Sequence, residues 1–91
     1  LIFIDADHRY SFASQDIELW WPKLRVGGIM CGDDYEGPEW DEEFIEQDYV
    51  GNQHHGACKA ATTAFGDNLS ASGKCWYVKR GQCKMLGAVK V

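Results

Sequence analysis

Two short apolar runs frame the first third of the chain: Leu1-Ile2-Phe3-Ile4, closed by Asp5, and Gly28-Ile29-Met30-Cys31-Gly32, closed by Asp33-Asp34. Each is too short for a helix of its own, is rich in strand-favouring residues and ends in carboxylates. That is the pattern of a buried parallel strand delivering acids at its carboxyl end. Between them Ala13, Ile17, Trp20, Trp21 and Leu24 recur at helical spacing, with Gln15, Asp16, Glu18 and Lys23 turned outward. Ser11 stands where an N-cap is needed, Pro22 tightens the last turn and Gly27-Gly28 ends the helix. Strand, helix and strand predict a right-handed crossover, with the two strands parallel and about 4.8 Å apart. Asp5, Asp33 and Asp34 then converge on the edge where open α/β sheets bind ligands.

The pattern is less regular beyond this unit. Residues 34–53 read as a long connection or lid, with the turn-forming Gly37-Pro38 and a short helix near 41–47 whose apolar side is Trp40, Phe44 and Ile45. Residues 55–65 predict a helix with the small-residue face Ala57, Ala60, Ala61 and Ala64, closed by Phe65 and stopped at Gly66. A short strand at 69–71, a turn at 72–74 and a strand at 75–79 with Trp76 and Val78 on one face follow, and the tail 83–91 reads as one more strand. The whole of 1–91 is read as one small α/β domain.

Charge changes the picture at one place. The chain of 91 residues carries a net charge of -5, and nine of its fourteen acids lie between Asp33 and Asp48, with no Lys or Arg between Arg25 and Lys59. This stretch reads either as a solvated acidic loop or as a lid that attracts cations. The nine basic residues are scattered, so no phosphate-binding stripe exists and nucleic acid is not expected as a partner. No apolar run reaches the roughly 18 residues that span a bilayer, and no membrane partner is expected. Cys31, Cys58, Cys75 and Cys83 lack metal or redox spacing and read as free thiols of a cytoplasmic protein, with a Cys75–Cys83 hairpin bridge left open. The first residue is Leu, inside a strand, so the chain is expected to be a piece of a longer protein.

The order of motifs carries a resemblance. Ile2-Phe3-Ile4-Asp5-Ala6-Asp7-His8-x-Tyr10, then Asp16-Ile17-Glu18-Leu19-Trp20-Trp21-Pro22-Lys23-Leu24-x-x-Gly27-Gly28-Ile29, then Gly32-Asp33-Asp34-Tyr35 resemble the second half of a class I S-adenosylmethionine-dependent methyltransferase. They resemble in particular a small bacterial-type group with D-A-D-H and G-[HD]-D-Y motifs. Gly56-Ala57-x-x-Ala60, with Phe65 one residue later than usual, and Trp76-x-Val78-Lys79-Arg80 are similar to the helix and closing strand that follow.

The resemblance implies a three-layer Rossmann-like sheet of seven strands in the order 3-2-1-4-5-7-6, mostly parallel with an antiparallel final hairpin. This chain would supply only the fourth strand onward. The Gly-rich loop and ribose-binding acid that hold most of the S-adenosylmethionine have no counterpart here, so the cofactor-binding residues are unknown and the chain is expected to be inactive alone. Metal-dependent members place ligands for a divalent cation at positions matching Asp5, Asp33 and Asp34, and Mg²⁺ suits such an all-oxygen set. His8 stands where related enzymes carry a Lys serving as base, and an imidazole can take the proton of a small-molecule acceptor's hydroxyl. His54 and His55, just before a helix, read as loop residues.

Two other readings compete. A strand followed by Asp-x-Asp also opens haloacid-dehalogenase-like phosphatases, with Asp5 as nucleophile, and marks metal sites of some glycosyltransferases. The phosphatase pattern expects Thr or Val where Arg9 stands, and only Lys23 is available for its Lys. The other reading is a non-enzymatic module. With the first strand's outer edge unpaired, the chain is expected to form a homodimer through residues 1–5 or to receive a missing N-terminal half there.

Overall fold

The protein is described from a computed structural model, which covers residues 1–4 and 7–81. Its elements are β1 (Ile2–Ile4), α1 (Tyr10–Trp20), β2 (Ile29–Gly32), α2 (His55–Phe65), β3 (Ser70–Ser72) and β4 (Cys75–Lys79). The sheet order is β1-β2-β4-β3. β1 and β2 run parallel with Ile2 opposite Met30 and Ile4 opposite Gly32, which sets the carboxyl ends of both strands on one edge. β4 is antiparallel to both β2 and β3.

Alternation along the strands explains which face is covered. Met30, Trp76 and Val78 are buried, and the half-buried Ile2 and Ile4 pack against the same core. On the opposite face Phe3, Ile29 and Tyr77 stay 51%, 41% and 41% exposed. The two helices pack against each other and against the first face, so the described residues form two of the three layers expected. Ala13, Ile17, Trp21 and Leu24 of the α1 segment meet Ala60, Ala61, Ala64 and Phe65 of α2 in one core. Trp21 lies 4.9 Å from Phe65, ring to ring, and Phe65 lies 5.8 Å from Trp76.

Several local expectations change. Trp20 does not join its neighbour in the core and remains 43% exposed, because Pro22 converts the end of α1 into a 3₁₀ turn at Trp21–Lys23 and alters the phase of the face. Ser11 is not the N-cap: Arg9 holds that position without a side-chain bond. The short helix near 41–47 is a single 3₁₀ turn at Glu42–Phe44, capped by the Asp41 carboxylate accepting from the Glu43 amide. The strand expected at 69–71 spans Ser70–Ser72. Cys31, Cys58 and Cys75 are free thiols, whereas Cys83, its proposed bridge and the expected strand at 83–91 lie outside the described residues. No helix among the described residues is long and apolar enough to cross a membrane.

Two glycines make the packing feasible. A Cβ on Gly56 would collide with the carbonyl oxygens of Ile45 and His8 and the amide of Tyr10, so only Gly lets α2 approach the β1–α1 connection. A Cβ on Gly32 would strike the Trp76 indole, which lies across the last residue of β2.

Candidate functional site

The acidic stretch folds back over the carboxyl edge of β1 and β2 and is bonded to it through both helix N-termini. The Tyr10 amide donates to the Ile45 carbonyl (2.7 Å), and the Ser11 amide and hydroxyl donate to the Glu46 carboxylate (3.0 and 2.8 Å). Glu46 therefore supplies, from 35 residues away, the negative charge that the start of α1 lacks locally. At α2, the buried His55 accepts from the Asp41 amide at Nδ1 (2.9 Å) and donates from Nε2 to the Val50 carbonyl (3.0 Å). Lys59 pairs with Glu42 at 2.8 Å. His55 is thus a structural tie between the acidic segment and α2, a role that its position before a helix did not reveal.

Beneath this segment five side chains form a chain of contacts. Asp48 Oδ1 lies 2.6 Å from His8 Nδ1, and His8 Nε2 lies 2.6 Å from Asp34 Oδ2. Asp34 Oδ1 stands 4.0 Å from His54 Nε2, and His54 Nδ1 is 2.7 Å from Glu36 Oε2. Glu36 also accepts from the His54 amide (2.9 Å) and the Cys58 thiol (3.3 Å). The two imidazoles lie 4.5 Å apart, with Tyr49 4.6 Å from His54 on its other side. The residues come from four places: the segment after β1 (His8), the segment after β2 (Asp34, Glu36), the acidic stretch (Asp48) and the N-cap of α2 (His54). Asp34 leaves β2 with φ 61°, a left-handed conformation that Asp tolerates better than most residues.

Electrostatics follow from these neighbours. Burial of His8 opposes its charged form, but Asp48 and Asp34 outweigh it and raise the imidazole pKa. Burial likewise opposes charge on Glu36, yet the bonds from His54 and Cys58 hold its carboxyl below the usual range. Arg9 clasps Asp7 through side-chain and backbone bonds and lowers that carboxyl to about 2. Burial pushes the Cys58 thiol up to about 11.

The expected site residues fare differently. Asp5, both as metal ligand and as nucleophile of the phosphatase alternative, lies outside the described residues. Asp34 and His8 meet directly. Asp33 is exposed and does not join that contact, although it borders, with His8, Ile4 and Trp76, a cavity of about 20 Å³. His54, expected to be a loop residue, joins the cluster, as do Glu36 and Asp48, which the sequence does not single out. His54 is 46 residues from His8, and no local pattern signals that pairing.

These polar and ionisable groups stand at the carboxyl edge of parallel strands, the place where open α/β sheets bind ligands. Residues 1–35 match the family model described as a methyltransferase domain, a segment that contains β1, α1, β2, His8 and Asp34. No curated protein and no solved structure matches the chain.

Proposed function

We propose that this chain is part of an S-adenosylmethionine-dependent methyltransferase that methylates an oxygen of a small-molecule acceptor at the carboxyl edge of β1 and β2. The observation that carries the reading is the coincidence of the methyltransferase-domain match with the β1–α1–β2 unit, whose strands are parallel neighbours. The order β1-β2-β4-β3 supports it further, since it corresponds to places 4-5-7-6 of the seven-stranded arrangement. An open groove bounded by Asp7, Arg9, Glu46, Gln47 and Asp48 gives an acceptor a place beside the cluster, next to the carboxylate that meets His8 Nδ1. In the transfer, the acceptor oxygen attacks the sulfonium methyl in line, the carbon–sulfur bond breaks towards neutral sulfur, and His8 takes the hydroxyl proton. Asp48 on Nδ1 supports that basicity.

The residues that grip the cofactor are expected in sequence upstream of Leu1: a strand, a Gly-rich turn and an acid some twenty residues later. Calorimetric titration of residues 1–91 with S-adenosylmethionine should show no saturable binding at micromolar concentration, and a chain extended upstream should bind and transfer. In that longer chain His8→Ala should lower kcat by about 100-fold or more, the usual worth of a general base, with unchanged cofactor affinity. An extended chain that neither binds the cofactor nor contains such a motif would remove the proposal.

A second reading, a self-associating α/β module without catalysis, is favoured by one observation. β1 is an outer strand of the sheet, with its far edge unpaired among the described residues.

A further inference from the structure

We propose that His8, Asp34 and His54 bind one divalent first-row transition-metal ion, Zn²⁺ or an ion of similar ligand preference. The three residues offer ligand atoms that all lie within 4.8 Å of one another. Metal bonds of about 2.0–2.2 Å at tetrahedral angles place ligand atoms about 3.3–3.6 Å apart, so closure onto an ion needs side-chain movements of about one ångström. His8 Nε2 is buried and, although 2.6 Å from Asp34 Oδ2, lacks hydrogen-bond alignment with it, which leaves this nitrogen without a proper partner. An ion between the imidazole and the carboxylate would satisfy it.

The outer contacts point the same way. Each histidine meets a carboxylate through Nδ1, His8 with Asp48 at 2.6 Å and His54 with Glu36 at 2.7 Å. A carboxylate behind Nδ1 fixes the tautomer that turns the Nε2 lone pair outward, as ligating histidines require. Here both Nε2 atoms face Asp34. Asp34, Glu36 and Asp48 surround the two imidazoles and come from a stretch without Lys or Arg from 26 to 58, while Arg9, next to His8, is paired with Asp7, so the carboxylates leave a field that favours a cation.

Donor chemistry selects the ion. Two imidazole nitrogens and one carboxylate suit Zn²⁺, Co²⁺ or Fe²⁺, whereas the expected Mg²⁺ prefers an all-oxygen set. Three protein ligands leave a position open for a water or an acceptor oxygen. Binding of the ion is independent of the methyl-transfer reading, and only its action on an acceptor rests on it. With the ion bound, His8 would hold it and the hydroxyl acidified by the ion would lose its proton to solvent, so His8 would act as base only in the ion-free protein.

The test uses chelator-stripped protein, titrated calorimetrically with Zn²⁺ and Mg²⁺ and followed by visible absorption with Co²⁺. Expected are one Zn²⁺ per chain, far weaker Mg²⁺ binding, and Co²⁺ bands without thiolate charge transfer. Asp34→Asn and His54→Ala, checked for folding by circular dichroism, should weaken Zn²⁺ binding by about 100-fold or more, and Asp48→Asn by about 10–100-fold. Absence of stoichiometric Zn²⁺ binding, a thiolate band in the Co²⁺ spectrum, or folded variants that bind as before would each overturn the site. If the variants do not fold, the Co²⁺ spectrum of the unaltered protein decides alone. None of these outcomes alters the S-adenosylmethionine titration, so the two proposals fail separately.

Discussion

At the scale of single residues, burial decides which side chains retain their chemistry. Cys58 lies at 0% exposure on α2, and its thiol pKa of about 11 stands above the unperturbed 9.0. Because the fold disfavours the thiolate, this group contributes stability fully below its unfolded pKa, and the contribution is lost as pH rises through the folded value. At pH 8 only about one Cys58 in a thousand is ionised in the native state. Iodoacetamide should therefore modify Cys58 far more slowly than Cys75, with the difference vanishing in urea; equal native rates by mass spectrometry would contradict the buried placement. A free Cys in a helix pattern is legible as a small apolar residue. Its contact with Glu36, 22 residues away, is not.

At the scale of elements, periodicity carried most of the information. The bounds 55–65 for α2 and 75–79 for β4 follow from small-residue spacing and from the alternation of Trp76 and Val78. The N-terminus of α1 was less readable, since its orphan amides are satisfied by Ile45 and Glu46, whose arrival depends on the path of the acidic segment. Glu46→Ala should cost about 1 kcal/mol, the usual worth of a cap, and expose the α1 amides to faster hydrogen exchange. Gly56→Ala should cost more, about 1–3 kcal/mol, because the added methyl meets backbone on three sides. Urea unfolding of both variants checks the ranking. A neutral Gly56→Ala would mean that α2 does not approach the His8–Tyr10 segment so closely.

At the scale of the whole molecule, one sheet face and one sheet edge set the behaviour. Among the described residues, Phe3, Ile29 and Tyr77 lie exposed on a face that no helix covers, and the outer edge of β1 has no strand partner. Two-fold pairing of β1 with a second copy would satisfy that edge with an antiparallel ladder. Sedimentation velocity should accordingly show a dimer whose fraction rises with concentration, weakened by Phe3→Lys or by Pro at Ile2; a monomer at high concentration would exclude this pairing.

The amino-acid order by itself determined the elements that depend on local spacing. These are the two short apolar strands with their carboxylate ends, the helices at Ala13/Ile17/Trp21 and Ala57/Ala61/Ala64, and the parallel crossover that brings His8 and Asp34 to one edge. Those features follow from near-neighbour periodicity and from the handedness of L-residues. Only the tertiary structure decided that the acidic segment closes over that edge, that Trp20 stays outside while Trp21 enters the core, and that His54 and Glu36 complete the cluster. For the acidic segment and the cluster the physical reason is that charge and hydrogen bonding join groups up to 40 residues apart and leave no period in the chain, whereas Trp20 is turned out by the 3₁₀ turn at Pro22.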